Sequence, residues 1–230
     1  MGKGLTRKNK LDVTGFGRDQ DELPDIGTGF LDLRAWFGFE PWAGEGEDPR
    51  PLEIELGSGK GTFLAQEAPL HPGTLFLGIE WASQFYRYAA DRMRRLNLTH
   101  VRMLHADGVV FLRNFVADQT VSTFHWYFPD PWPKARHNKR RTFQEGFLRE
   151  LYRVLTPADD AGAGRIHVAT DHLDYWEWMQ EHATKVSDLY DIEPFEPPAS
   201  AGEGELVGTN FERKYRKEGR VFNGMVLVKK

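Results

Sequence analysis

The chain contains no cysteine, which excludes disulfide staples and cysteine-ligated metal centres and fits a reducing cytosol. Long apolar runs are missing as well. No window approaches about 18 consecutive apolar residues, so no segment is expected to span a membrane. Lys3, Arg7, Lys8 and Lys10 lie near the start, but no apolar stretch follows them, and a secretory signal is not expected. An excess of positive charge is absent too: 30 Lys+Arg against 34 Asp+Glu give a net charge of −4. Any surface for a polyanion must therefore come from local clustering. The 8 histidines form no H-x-x-x-H pair on a helical pattern, so no metal site is expected. What is present suffices for one large domain: 230 residues, 40% of them hydrophobic and 13% aromatic, can bury a sizeable core.

Residues 1–43 read as an N-terminal arm, basic at its start and partly mobile, and 44–230 as the main domain. "AGEGEDPRP" at 43–51 is a turn-rich linker between them. Beyond it, short apolar runs alternate with helical patterns. The predicted strands are Leu52–Leu56, Leu75–Glu80, Val101–His105, Thr123–Phe128 and Arg165–Thr170. Phe85, Tyr88, Ala89, Met93 and Leu96 recur at helical spacing, as do Phe143, Phe147, Leu151 and Leu155. This alternation predicts an α/β fold with a parallel sheet covered on both faces. A last apolar run, Gly224–Val228, is expected to join the sheet edge.

The first strand opens on "LEIELGSGKGTF", residues 52–63. A phosphate-cradling P-loop needs G-x-x-x-x-G-K-[ST]. Its first glycine would fall at Ile54, and Gly61 stands where the hydroxyl residue belongs, so the pattern fails. A dinucleotide fingerprint, G-x-G-x-x-G, fails by one residue. Gly57 and Gly59 instead make a tight strand-to-helix turn, preceded by the acid Glu53. A carboxylate repels a pyrophosphate but suits a cationic amino-acid sulfonium. Glu80 ends the second strand, where a carboxylate meets ribose hydroxyls, and Asp107 ends the third, within reach of an adenine edge. Each has a plainer reading: Glu80 as a solvated strand end, Asp107 as a helix cap. Together, acids at successive strand ends favour a ligand crevice.

In "FHWYFPDPWPKARHNKRR", 124–141, an apolar strand runs into a proline-framed loop that fixes Asp130 and Trp132 at its end. Lys134, Arg136, Lys139, Arg140 and Arg141 follow without an acid. A solvated turn is the ordinary reading of such a run. Its place beside the crevice points instead to a nucleic-acid backbone delivering one base to a pocket. Trp132 either stacks on that base or braces the loop.

This block, F-P-D-P-W-x-K-x-R-H-x-K-R-R, closely resembles that of the bacterial tRNA (guanine-N7)-methyltransferases. The resemblance runs on through "GIE" at 78–80, "ATD" at 169–171 and "TNFE" at 209–212. It implies a class I, Rossmann-like methyltransferase: a three-layer sandwich with a mostly parallel sheet and an antiparallel edge strand. It implies S-adenosyl-L-methionine as cofactor, held by Glu53, Gly57, Gly59, Glu80, Asp107 and Asp130, with Asp130 catalytic. Lys134, Asp171, Thr209, Asn210, Phe211 and Glu212 are implied to bind the guanosine, which lies in the variable loop of a tRNA. Arg136, Lys139, Arg140 and Arg141 would meet the tRNA backbone.

Read alone, Asp171 could equally cap a helix starting near His172, and "TNFERKYRKEGR" is a charged loop. With Glu53 set against the family's E-[IV]-G-x-G, Glu55 stands where the first glycine belongs. It then either intrudes on the donor pocket or turns outward by strand alternation while Glu53 serves. The turn "TPADDAGAG" is longer than usual in the family and reads as an extended surface loop.

The expected activity is methyl transfer to guanine N7 in the cytoplasm, by a monomer or homodimer that uses no metal and no membrane. The alternative is an RNA-binding protein that keeps the fold but has lost donor binding. An NAD-dependent oxidoreductase is disfavoured by the glycine spacing.

Overall fold

Strands buried on both faces need apolar side chains in both directions, and five of the predicted runs supply them. The computed structural model describes residues 11–37, 50–158 and 162–230. Its strands are β1 Gly17–Asp19, β2 Leu52–Leu56, β3 Leu75–Glu80, β4 Val101–His105, β5 Thr123–Tyr127, β6 Arg165–Thr170, β7 Tyr190–Pro194 and β8 Asn223–Lys229. The helices are α1 Thr62–Glu67, α2 Ser83–Arg95, α3 Gly108–Phe115, α4 Glu145–Val154, α5 Leu173–Thr184 and α6 Asn210–Arg216.

The strands form one sheet in the order β1-β4-β3-β2-β5-β6-β8-β7. From β1 to β6 all pairs are parallel; β8 runs antiparallel to β6 on one side and β7 on the other. Alternate side chains divide the core. Leu52, Ile54 and Leu56 of β2, with Phe124 and Trp126 of β5, face α3, α4 and α5. Phe76, Met103 and Tyr127 face the other way, onto α1 and α2. The result is the three-layer sandwich expected.

Three details differ from the sequence reading. The strand β8 is not the edge, because β7 pairs outside it. Its sequence, YDIEP, carries no strand signal: Asp191 and Ile192 are exposed, Asp191 and Glu193 carry charge, and a proline ends it, as suits a protected edge. Residues 17–19, expected within the arm, add β1 alongside β4. On α2 the buried stripe is Tyr86, Ala89, Ala90 and Met93, whereas Phe85 and Leu96 are exposed. The arm's Lys3–Lys10, the 43/44 boundary and residues 159–161 of the long turn lie outside the described residues.

Candidate active site

The carboxyl ends of the parallel strands carry the site in a fixed lateral order. Across β4, β3, β2, β5 and β6 come Asp107, Glu80, the glycine turn, Asp130 and Asp171. The chain winds from β2 to β3 and β4 on one side and to β5 and β6 on the other. The crevice between β2 and β5 is therefore a topological switch point, where open α/β sheets bind ligands.

The turn's own hydrogen bonds decide which ligand it suits. Gly57 N and Ser58 N both donate to the Ile79 carbonyl (2.9 and 3.0 Å), and Gly61 N donates to Ser58 (2.8 Å). Gly59 N donates to Glu80 Oε2 (2.7 Å). These amides are committed to acceptors within the protein and do not form an anion cradle. Lys60 lies over the rings of Phe85 and Tyr88, 5.6 and 5.9 Å from their centroids, as a solvent-side cation. Gly57 and Gly59 take φ of 74° and 54°, and a Cβ on either would meet nothing within 4 Å, so open space lies beside the turn.

Glu53 and Glu55 share one face of β2, since they are two residues apart. The expectation that alternation would separate them is wrong. Glu53 lies deeper along the strand, and its Oε2 accepts from His125 Nε2 at 2.6 Å. His125 Nδ1 lies 2.9 Å from the Tyr127 hydroxyl. Burial, then the charge of neighbouring His125, pushes His167 down to about 3, leaving that ring neutral in the same layer.

Glu55 stands next to the turn, 5% exposed, and its Oε2 has no hydrogen-bond partner among the described residues. Burial, reinforced by the charge of Glu80, pushes its carboxyl well above the ordinary carboxylate range. The pattern expected at Glu53 is met at Glu55-Leu56-Gly57-Ser58-Gly59, with leucine in the aliphatic position. Glu53 is thus a structural partner of His125, and Glu55 is the acid at the turn. Counting back from Gly59 would have found it.

Glu80 is no solvated strand end: besides Gly59 N, it takes Ala82 N on Oε1 at 2.7 Å. Asp107 does cap α3, accepting from Val109 N (2.8 Å) and Val110 N (3.1 Å) on Oδ1 alone. Its Oδ2 makes no hydrogen bond to the described residues, so the cap and the ligand reading are compatible.

Past β5 the backbone turns sharply. Phe128 and Trp132 take φ of 54° and 45°, left-handed values that cost side chains of this size on the order of 1 kcal/mol or more. Between them Pro129 and Pro131 present Asp130 to solvent, with no hydrogen bond to the described residues. Phe128 is pinned by its N–H to the Ala169 carbonyl (2.8 Å) and by stacking on Phe211 of α6 at 4.9 Å. Trp132 braces the loop: Arg140 lies 5.0 Å above its ring and His137 meets it edge-on at 5.9 Å.

The basic run splits. Lys134, Arg136, Lys139 and Arg140 are exposed, Lys134 at the N-cap and the others on the 3-10 helix Ala135–Arg140. Arg141 is not available to a backbone phosphate. It is 1% exposed, donates to the Pro131 carbonyl at 2.8 Å, pairs with Asp174 and lies over Tyr175 and Trp178. That residue holds the proline loop against α5.

Past the end of β6, Asp171 is ion-paired with Arg220, and the cap of α5 is His172, so Asp171 is not the helix cap. "TNFE" is a capping arrangement. Thr209 accepts from Glu212 N (3.2 Å), while Glu212, fully buried, accepts from Leu206, Val207 and Gly208 N–H at 2.6–2.9 Å and from Arg216. A carboxylate so saturated has no acceptor left for a substrate; Glu212 and Thr209 position the loop. Asn210 is exposed, its side chain making no hydrogen bond to the described residues, and Phe211 ties α6 to Phe128. This strap is held to α1 through Gln66, which donates to the Gly208 carbonyl at 2.9 Å, and through Arg213 to Gln66 at 2.8 Å. Among the described residues no group of histidines and acids could hold a metal ion, and no helix is long and apolar enough to cross a membrane.

Residues 49–223 match a family described as putative methyltransferase. A tRNA (guanine-N(7)-)-methyltransferase of Corynebacterium glutamicum is 35% identical over 84% of this chain and 71% of its own length. The protein of that name from Streptococcus thermophilus is 31% identical over 79% of this chain and 84% of its own. The chain belongs to this methyltransferase family. The relative from Thermus thermophilus, 35% identical, is longer, and the match covers 78% of this chain and 54% of that one. Among solved structures, TrmN from Thermus thermophilus superposes at a TM-score of 0.51 with 17% identity, covering 80% of this chain and 46% of that one. A methyltransferase from Pyrococcus furiosus gives 0.52 with 14% identity, over 78% and 76%. Both likenesses concern the fold, a class I Rossmann-like sheet.

Proposed function

We propose that this chain transfers the methyl group of S-adenosyl-L-methionine to N7 of a guanosine in tRNA, in the cytoplasm. The observation that carries the reading is the row of carboxylates beside the open glycine turn, above all the buried and unpartnered Glu55. The residues fit the donor: Glu55 and the turn for its cationic amino-acid end, Glu80 for ribose hydroxyls, Asp107 Oδ2 for the adenine amino group. When bound, this donor supplies a methyl group already activated on a sulfonium. Guanine N7 carries a free lone pair, so no general base is needed, and the chain's work is alignment and field.

Asp130 is the acceptor-side carboxylate. Held rigidly and left without a partner, it takes the purine's N–H edge and balances the positive charge that arises on the ring. Lys134, Asn210 and the Asp171–Arg220 pair line the acceptor side, with Arg136, Lys139 and Arg140 meeting the RNA backbone. N7 is inaccessible in the deep groove of A-form RNA, so the nucleoside enters unpaired, as a variable-loop guanosine would. The names of the relatives support tRNA and N7. The non-catalytic alternative rests on Glu55 as an intruder, whereas its place beside the glycine turn supports it as the donor's acid.

The test is incubation with donor and unmodified tRNA, digestion and mass spectrometry of the nucleosides. We expect 7-methylguanosine, and its near-complete loss in Asp130→Ala. A methyl group on another atom would refute the acceptor assignment; absence of both methylation and donor binding would restore the alternative.

A further inference from the structure

Residues Gln20–Ile26 lie ahead of the 49–223 segment that carries the family match, yet they form one wall of a cleft of about 710 Å³. The opposite wall comes from the carboxyl ends of β3 and β4, with Trp81 and Asp107, and from the first turn of α3, with Val110. The segment is fastened on both sides of the cleft. Before it, β1 pairs with β4, and His105 links Asp19 Oδ2 to the Trp81 carbonyl, each at 3.0 Å. After it, Leu31 N donates to the Phe115 carbonyl at 2.8 Å.

The lining has the character of a half-filled site. Ile26 is 67% exposed and Trp81 64%, so two large apolar side chains from different parts of the chain border one cleft uncovered. Between them Asp107 offers a single free carboxylate oxygen, since Oδ1 is spent on the α3 cap. Asp21 and Asp25 also line the cleft, which disfavours any phosphate-bearing ligand. A planar group with apolar faces and one amino donor fits this lining, and adenine is such a group.

We propose that Gln20–Ile26 is the outer wall of the donor's adenine subsite, with Ile26 and Trp81 supplying apolar contact from its two walls. This rests on the donor reading above. The probes are S-adenosylhomocysteine and 5′-methylthioadenosine, which keeps adenine and ribose but lacks the amino-acid end, titrated calorimetrically into the full chain. Ile26→Asp should weaken both by roughly tenfold, the loss expected when one aliphatic side chain no longer packs on a ligand. Its melting temperature should stay unchanged, because Ile26 is exposed, and Ile26→Leu should bind as the wild type does. Unaltered affinity for both probes in Ile26→Asp would overturn the wall. If the wild type bound neither probe, the donor reading itself would fall, an outcome distinct from the first.

Discussion

Burial beside Glu80, with no hydrogen-bond partner for Oε2 among the described residues, disfavours the charged form of the Glu55 carboxyl in the free protein. The folded state then keeps a proton that the unfolded chain gives up. Stability is therefore greatest below the ordinary Glu range and falls as pH rises from there toward the raised value in the fold, by at most about 1.4 kcal/mol per pH unit for one proton. Glu55→Gln, nearly isosteric and never ionised, should remove that slope. At neutral pH the donor-free variant should match or exceed the wild type, by about 1 kcal/mol, while binding donor more weakly. Urea denaturation across about pH 5–8 checks this; parallel pH slopes for the two proteins would place the ionised carboxylate in water. Both acids are visible in the sequence, two residues apart on β2. Residue order already places Glu55 nearer the strand's end than Glu53; what the sequence hides is the hydrogen bond that occupies Glu53, which comes from His125, 72 positions away.

Elements were legible where both faces of a strand are apolar, and obscure where local charge hides a tertiary role. The strands β2 to β6 read as apolar runs because helices cover them on both sides; β1 and β7 bury too little to leave a pattern. The turn after β5 shows the same limit among cations, since nothing in "KARHNKRR" distinguishes the buried Arg141 from the exposed Lys139. Pro131 and Asp174 make the difference, and one of them lies on α5. Arg141→Ala should cost about 2–4 kcal/mol in denaturation, through an unsatisfied carbonyl and a void beside Tyr175 and Trp178. Lys139→Ala should leave stability within about 0.5 kcal/mol. In tRNA binding it should flatten the slope of log affinity against log salt by about 1, one phosphate contact fewer. An unchanged slope would assign Lys139 to the solvated surface.

At the scale of the whole molecule, the winding order divides the carboxyl edge into two halves. The ends of β4, β3 and β2 carry the residues proposed for the donor, and those of β5 and β6 the residues proposed for the acceptor, with the crevice between β2 and β5 as the line where the halves meet. Glu80 and the loop beyond β5 stand two strand spacings apart, roughly 10 Å, with no shared hydrogen-bond partner. Lesions in the two halves should then be separable. Glu80→Ala removes an acceptor for ribose hydroxyls and should weaken donor binding by about 1.5–3 kcal/mol, the range for a hydrogen bond to a charged group, with tRNA affinity unchanged. Lys134→Ala with Lys139→Ala should do the reverse. Combined, their effects on kcat/KM should add within about 0.5 kcal/mol, as they do for sites without a common partner. Asp130 is the exception that the geometry singles out: it sits at the line between the halves, and Asp130→Asn should depress turnover far more than either equilibrium affinity. Calorimetric titration of each variant with S-adenosylhomocysteine and with tRNA, beside single-turnover rates, distinguishes the cases. Strong non-additivity between Glu80→Ala and the lysine pair would mean that donor and tRNA sites communicate through the strap from α1 to α6, and the two-half division would have to be abandoned.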